Sequence, residues 1–448
     1  MEWSLEVKKV LIANRGEIAV RVIRACQELG LKTVAIHSSA DKDSLHAKLA
    51  DESVCIGPGP STNSYLHIPA IMSAAEITGV DAIHPGYGFL AESADFAKVC
   101  TAYNIKFIGP TPEQIRSLGD KVEARRLAIE SDVPLLPGSK GTIRSNEEAL
   151  EVAKQIGYPC IIKAAAGGGG RGMKIAHSET ELIKQLQLAQ KEALACFGNP
   201  DCFIERYLTK PRHVEVQIIA DEHGNIAYLG ERDCSIQRRH QKLVEESPCL
   251  DLTEDLREKV GSLAVNLAKS VNYQSLGTAE FLFQDGHFYF MEMNTRVQVE
   301  HPVTEMVMAV DLIKEQILIA QGKKLSLKSG LHPRGHAIEC RINAEDPKTF
   351  APWPGIITGY HEPGGPGIRI DSMIYKGYRV PSLYDSMIAK VIAFGGDRME
   401  AICRMRRALS EMKVEGIRTN IPFHLKLLED PKFINGDVHT NFLASFSL

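Results

Sequence analysis

The chemistry of this chain concentrates in Glu292-Met293-Asn294-Thr295-Arg296-Val297-Gln298-Val299-Glu300-His301, which follows an apolar run from His287 to Met291. In an extended chain, residues two apart share a face. Glu292, Asn294, Arg296, Gln298 and Glu300 would then line one side, with Met293, Val297 and Val299 on the other. That face offers oxygen ligands for a hard cation, a guanidinium for an anion and a carboxylate that can take a proton. A solvated charge ladder is the plain alternative. Five complementary polar groups in one stripe beside an apolar strand favour a site.

Another carboxylate belongs with these. Thr278 to Gln284 and His287 to Glu292 form a hairpin around Asp285-Gly286. A two-residue turn would put Glu280 and Glu292 on opposite faces. A three-residue loop, Asp285-Gly286-His287, would pair them directly. Adjacent carboxylates repel unless a cation sits between them. The expectation is the three-residue loop, or an equivalent bulge, with a divalent ion held by Glu280, Glu292 and Asn294. Mg²⁺ fits, since it takes few protein oxygens and fills its remaining positions with phosphate and water.

Two further stretches could meet phosphates. In the first, Lys163 precedes Gly167 to Gly170, Arg171 and Gly172. Gly167, Gly169 and Gly172 match the dinucleotide spacing, but a strand, Met173 to Ala176, follows rather than a helix. No Gly-Lys-Ser/Thr makes a Walker loop. What remains is a glycine-rich hairpin whose backbone amides can approach phosphate oxygens, expected as a mobile lid over a polyphosphate. The second stretch, Glu231 to Lys242, is basic with amides and a histidine. It is either a solvated loop or a loop facing that polyphosphate. Arg341 falls on an alternating strand, His336 to Asn343, and residue physics alone leaves it unassigned.

These groups need elements to hold them. Residues 7 to 110 alternate strand and helix: Lys9 to Ala13, a helix from Glu17 ending at Gly30, Thr33 to Ile36, Ser53 to Ile56, a helix from Ile68 stopped at Gly79, Asp81 to His84, a helix around Phe96, and Lys106 to Ile108. That pattern predicts a parallel sheet covered on both faces, with ligands gathering at the carboxyl ends of its strands. Asn14 to Glu17 and His84 to Phe89 fall there. Thr111-Pro112-Glu113-Gln114 is a capping box opening a helix that continues to about Glu130. Val133 to Gly141 is a linker. After Pro333, short strands and a helix from about Arg398 to Met412 form a small α+β unit.

The whole chain, at 448 residues, has room for two or three domains. Its net charge of -4 gives no reason to expect nucleic acid. No apolar run is long enough for a bilayer, and the N-terminus lacks the marks of a secretory signal. The ten cysteines are scattered, which predicts reduced core thiols in a cytoplasmic protein rather than disulfides or zinc.

Ile12 to Ala19, His84 to Leu90, Lys163 with its glycine loop, Glu231 to Ser235 and Glu292 to Pro302 together resemble biotin carboxylase, an ATP-grasp family, over essentially the whole chain. The resemblance implies an α/β and α+β fold with three domains. These are a Rossmann-like N-terminal domain (1–119), an ATP-grasp domain (120–331, with a lid at about 136–209) and a C-terminal domain (332–448). It implies ATP with Mg²⁺ or Mn²⁺, two ions, and bicarbonate attack on the γ-phosphate to give carboxyphosphate. Carboxyphosphate yields CO₂, which carboxylates carrier-bound biotin.

Carried onto this chain, the resemblance gives Lys121, Lys163, Gly169, Gly170, Glu205, Arg206, Tyr207, Leu208, His213, Gln237 and His240 to the nucleotide. Glu280, Glu292 and Asn294 would hold metal. Lys242, Arg296, Gln298, the Val299 amide and Glu300 would bind bicarbonate, with Glu300 as base. Arg341 would stabilise carboxyphosphate and the biotin enolate. Ala166 stands where the family's glycine run usually begins, which predicts a slightly stiffer lid. The implied partners are a biotin carboxyl carrier protein, carboxyltransferase subunits and a second copy of the chain. The usual setting is acetyl-CoA carboxylase in fatty acid synthesis. The alternatives are other acyl-CoA carboxylases, other ATP-grasp ligases such as those making carbamoyl phosphate, and a silent nucleotide-binding subunit.

Overall fold

The computed structural model describes residues 7–165, 173–327 and 331–446. The expected contacts of Gly169 and Gly170, and the effect of Ala166, lie outside these residues. Among them, no helix is long and apolar enough to cross a membrane. All ten cysteines are free thiols.

The first sheet is parallel, with strand order β3-β2-β1-β4-β5. Its strands are β1 (Lys9–Ile12), β2 (Lys32–His37), β3 (Glu52–Cys55), β4 (Ala82–His84) and β5 (Lys106–Phe107). Val10, Leu11 and Ile12 are wholly buried because helices cover both faces. On one face the helix Gly16–Glu28 presents Ile18, Val22 and Ile23. After the loop Ala13-Asn14-Arg15 that leaves β1, Gly16 starts that helix at φ +74, a conformation that favours glycine. The helix Ile68–Thr78 stops at Gly79 in the left-handed region, as expected.

The capping box at Thr111 is present. The single helix expected after it is two, Pro112–Gly119 and Lys121–Glu130, because Asp120 adopts an extended conformation and caps the second. A small antiparallel sheet follows, β7-β6-β8, from β6 (Cys160–Ala164), β7 (Lys174–Ala176) and β8 (Cys202–Arg206). The helices Asn146–Ile156 and Glu179–Phe197 bury Ala149, Ala153, Leu182 and Leu186 with its apolar residues.

The third sheet carries the chemistry. It contains β9 (Arg212–Ala220), β10 (Ile226–Arg238), β11 (Gln241–Ser247), β12 (Ser275–Gln284), β13 (His287–Asn294) and β14 (His336–Asn343). The short pairs β15 (Gly355–Ile356) with β18 (Arg379–Val380) and β16 (Gly359–His361) with β20 (Lys413–Glu415) lie apart. β17 (Ile368–Ser372) and β19 (Met387–Gly395) complete the large sheet, in the order β13-β12-β9-β10-β11-β14-β19-β17. Antiparallel pairing of β11 with β14 makes one surface from strands before and after residue 331. The helix Arg398–Glu411 packs Ala401, Ile402, Met405 and Leu409 into the core beneath its second half.

Two local expectations are corrected. The run Glu231 to Lys242 is not a loop. It is most of β10 and the start of β11, joined by a tight turn in which Arg239 and His240 both have positive φ. Nor does the stretch after Glu292 stay extended: β13 ends at Asn294, and Glu300 precedes the helix His301–Met308. The shared face therefore holds only for Glu292 and Asn294. Arg296, Gln298 and Glu300 reach the site from an irregular loop.

Candidate active site

The β12–β13 hairpin turns on two residues, Asp285 at φ +53 and Gly286 at φ +76, with Gln284 opposite His287. That turn by itself would put Glu280 and Glu292 out of phase. The register shifts once, between Glu280 and Phe281, leaving Met291 as an extra residue, and Glu280 then lies opposite Glu292. The three-residue loop is absent and the equivalent bulge is present.

The same row continues across the sheet. Glu280 lies opposite Glu215 on β9, and Glu215 opposite Arg232 on β10. Three carboxylates and one guanidinium therefore stand side by side on four adjacent strands. Like charges in such a row repel. Arg232, wholly buried, bonds Glu215 and is anchored by Gln217 at 2.7 Å and Thr304 at 2.9 Å. Lys242 Nζ lies 2.5 Å from Glu215, 2.9 Å from Glu280 and 2.7 Å from Glu300. His213 Nε2 approaches Glu280 Oε2 at 2.8 Å.

The far end of the row lacks such cover. Glu292 keeps open surface, yet desolvation by the surrounding protein and then the charge of Glu280 push its carboxyl above its ordinary value, against the opposing influence of Lys121 and Lys242. A divalent cation between Glu280 and Glu292 would relieve that repulsion, so the donor set fits Mg²⁺ or Mn²⁺. Asn294 gives its amide Nδ2 to Glu280 at 2.8 Å, while its oxygen accepts from Arg296 at 3.0 Å. To ligate metal it must turn that oxygen toward Glu280.

Glu300 is wholly buried. One oxygen accepts from Lys242 at 2.7 Å and the other from Arg341 at 3.0 Å. Burial alone would raise its carboxyl, but Lys242, Arg341 and Arg232 outweigh that and hold it well below the carboxylate range. Arg341 also bonds Glu245 at 2.6 Å. Burial raises Glu245 to about 7, against Arg341 and with Glu300. Arg296 bonds Glu92 at 2.8 Å and Gln298 at 2.8 Å, and Gln298 donates to Glu280 at 3.0 Å. Lys242 and Arg341 thus meet at Glu300, and Arg296 and Gln298 connect to Lys242 through Glu280, while the Val299 carbonyl is taken by Lys390.

The expected nucleotide residues are more dispersed. Lys163 Nζ lies 2.6 Å from the buried Glu205, which Arg125 also bonds. The Glu205 side chain therefore neutralises Lys163, leaving its backbone for any nucleotide contact. Arg206 Nε donates to the Ile156 carbonyl at 3.0 Å. The Tyr207 hydroxyl accepts from Asn441 at 3.0 Å, and Leu208 is buried. Gln237 Nε2 donates to the Cys234 carbonyl at 3.3 Å. His240 sits in the β10–β11 turn, its ring lowered by burial and by the charges of Lys163 and His213.

Beside Arg341 a cavity of about 480 Å³ opens, walled by Asn14, Tyr87, Gln241 and Asn343. Both loops at the carboxyl ends of the first sheet reach it. Sequence reasoning missed Glu92, Glu215, Arg232, Glu245 and Gln241. Glu215 carried a signal as one of the alternating polar residues of β9, and Arg232 and Gln241 lay within the Glu231 to Lys242 run without being singled out, whereas Glu92 and Glu245 carried none.

Comparison with known proteins gives this geometry a family. Residues 6–115 match the biotin carboxylase N-terminal domain and 339–445 the biotin carboxylase C-terminal domain. Residues 120–328 match the carbamoyl-phosphate synthase L chain ATP binding domain. Biotin carboxylase from Pseudomonas aeruginosa is 56% identical over 98% of both chains. The chain belongs to the biotin carboxylase family. It is accordingly an ATP-dependent ligase, which excludes the silent binding subunit. A pyruvate carboxylase subunit of Methanothermobacter thermautotrophicus is 51% identical over 98% of this chain and 90% of its own. Among solved structures, the biotin carboxylase–β,γ-ATP complex from Campylobacter jejuni superposes with a TM-score of 0.95 at 49% identity, covering 99% of this chain and 100% of that one. The biotin carboxylase domain dimer of Hydrogenobacter thermophilus 2-oxoglutarate carboxylase, with MgADP and bicarbonate, gives 0.93 at 48% identity, covering 98% of this chain and 97% of that one.

Proposed function

We propose that the chain uses MgATP and bicarbonate to carboxylate biotin on a separate carrier protein, through carboxyphosphate. The observation that carries this reading is Glu300, a buried carboxylate held between Lys242, which also bonds the carboxylate row, and Arg341, which lines the 480 Å³ cavity. Its proposed units are 1–119, 120–331 and 332–448.

In this reading Lys242, Arg296, Gln298 and the Val299 amide bind bicarbonate. A carboxylate held as low as Glu300 is a weak base. A bound anion shares the charge of Lys242, Arg296 and Arg341, which lets Glu300's proton affinity rise so that it takes the bicarbonate proton. The metal, held by Glu280, Glu292 and Asn294, supplies charge neutralisation for the transferring phosphoryl group. Lys121, Lys163, His213 and His240 flank the nucleotide. Arg341 offers its guanidinium to the carboxyphosphate and then to the oxygen of the deprotonated ureido group. The released phosphate takes the ureido proton. The acyl acceptor belongs to carboxyltransferase subunits. Acetyl-CoA carboxylase is the proposed setting, with a homodimer in the cytoplasm.

The test is phosphate release from MgATP and bicarbonate, with and without free biotin. Strong biotin stimulation is expected. Release indifferent to biotin, or no release at all, would overturn this reading.

A second outcome concerns the metal. Glu292→Gln removes the repulsion with Glu280, so without metal the variant should melt no lower than the parent. It should need about tenfold more Mg²⁺ for half-maximal activity and lose the thermal shift that Mg²⁺ gives the parent. An unchanged Mg²⁺ requirement would remove Glu292 from the metal site.

A further inference from the structure

Lys390 has no part in the chemistry above, yet it is wholly buried in β19. Burying an ammonium group costs several kcal/mol unless its contacts recover it. Its shortest contact is the Val299 carbonyl, at 2.7 Å. Glu17 lies at 3.3 Å and Asp371 at 3.9 Å, and Asp371 is itself paired with Arg369 at 2.7 Å.

The register makes this contact specific. Lys390 stands directly opposite Arg341 on β14, so both side chains leave the same face of the sheet. Arg341 holds the Glu300 side chain, and Lys390 holds the carbonyl of the peptide that enters Glu300. Residues 295–300 form neither helix nor strand, and the only backbone bond spanning that peptide among the described residues is the turn from the His301 N–H to the Gln298 carbonyl at 3.3 Å. Side chains from elsewhere add two backbone anchors: Glu92 takes the Thr295 N–H at 3.1 Å, and Lys390 the Val299 carbonyl.

We propose that Lys390 is a positioning residue that fixes the Val299–Glu300 peptide and thereby shapes the bicarbonate site. This rests on the bicarbonate role proposed for Val299 and Glu300. The nucleotide residues lie on other strands, so the effect should be selective.

Lys390→Met alone would strand the Glu17 charge, so the test pairs it with Glu17→Gln. The Val299 tether is then lost while Asp371 keeps Arg369 and Glu339, which Lys390 also faces, is already pushed well up toward its neutral form by burial. Measured against the parent and against Glu17→Gln alone, the double variant should raise the KM for bicarbonate about tenfold or more, with the KM for ATP within about twofold. A bicarbonate KM equal to that of Glu17→Gln, or equal losses for both substrates, would overturn the proposal. So would loss of the folding transition in the double variant, which would make Lys390 a purely structural cation. A parent enzyme without bicarbonate-dependent, biotin-stimulated phosphate release would instead fail the functional reading.

Discussion

Glu300→Gln lowers the turnover of biotin carboxylation by about 10²–10⁴-fold, the range for loss of a positioned general base, while the KM for ATP stays within a few fold. The substitution keeps shape and removes one negative charge. Lys242 retains Glu215 and Glu280, and Arg341 retains Glu245. The variant should therefore fold and bind nucleotide. Biotin stimulation of phosphate release should vanish with carboxylation, because both need the bicarbonate proton removed. Comparing single-turnover carboxylation in parent and variant decides it. Turnover within about threefold of the parent, less than 1 kcal/mol of barrier, would sink Glu300 as the base.

The largest expected effect on stability comes from Lys242→Gln. Lys242 is the one cation touching Glu215, Glu280 and Glu300 together among the described residues. Removing one partner from a buried ionic cluster costs about 3–5 kcal/mol. The pH dependence identifies the mechanism. In the parent, burial acts to raise Glu280 and Glu300, but Lys242 leads the charges that hold both below the ordinary 4.5. Depressed carboxyls stabilise the fold above their unfolded value, and that contribution fades as pH falls through the folded value. Without Lys242 both carboxyls move up and take protons more readily. The variant's deficit should therefore be greatest at neutral pH and above, and narrow as the pH falls toward about 4.5. Melting temperatures of both proteins across that span test this. A gap independent of pH would mean that lost packing, not charge, explains the cost.

Both outcomes depend on contacts of different legibility. Glu280 and Glu292 could be paired from sequence because strand register has only two phases: one puts the carboxylates on opposite faces, and the other sets them side by side, where a cation is needed between them. The mechanism that achieves the pairing, a two-residue turn plus an extra residue at Met291, satisfies the same constraint by another route. The alternation rule failed beyond Asn294 because it applies only while the chain stays extended. The basic, amide-rich composition of Glu231 to Lys242 suggested a loop, because composition alone does not show the strands that pair with it. Arg232 is buried because Glu215, Gln217 and Thr304 receive it, and none of them is near in sequence.

The sequence by itself determined the parallel N-terminal sheet, from short apolar runs alternating with helical periods and glycine stops. It determined the hairpin that carries two carboxylates. Its motifs also marked the family, and with it the residues proposed for bicarbonate and metal. These are local patterns, and local sterics and solvation read them. Tertiary structure alone decided the row from Glu292 through Glu280 and Glu215 to Arg232, since it crosses four strands whose order the chain does not spell out. It alone placed Glu92 and Lys390 at the two ends of the loop that carries Glu300. An irregular loop has no hydrogen-bond ladder to set its shape, so beyond the one turn onto the Gln298 carbonyl its Thr295 and Val299 backbone groups are met by charged side chains distant in sequence.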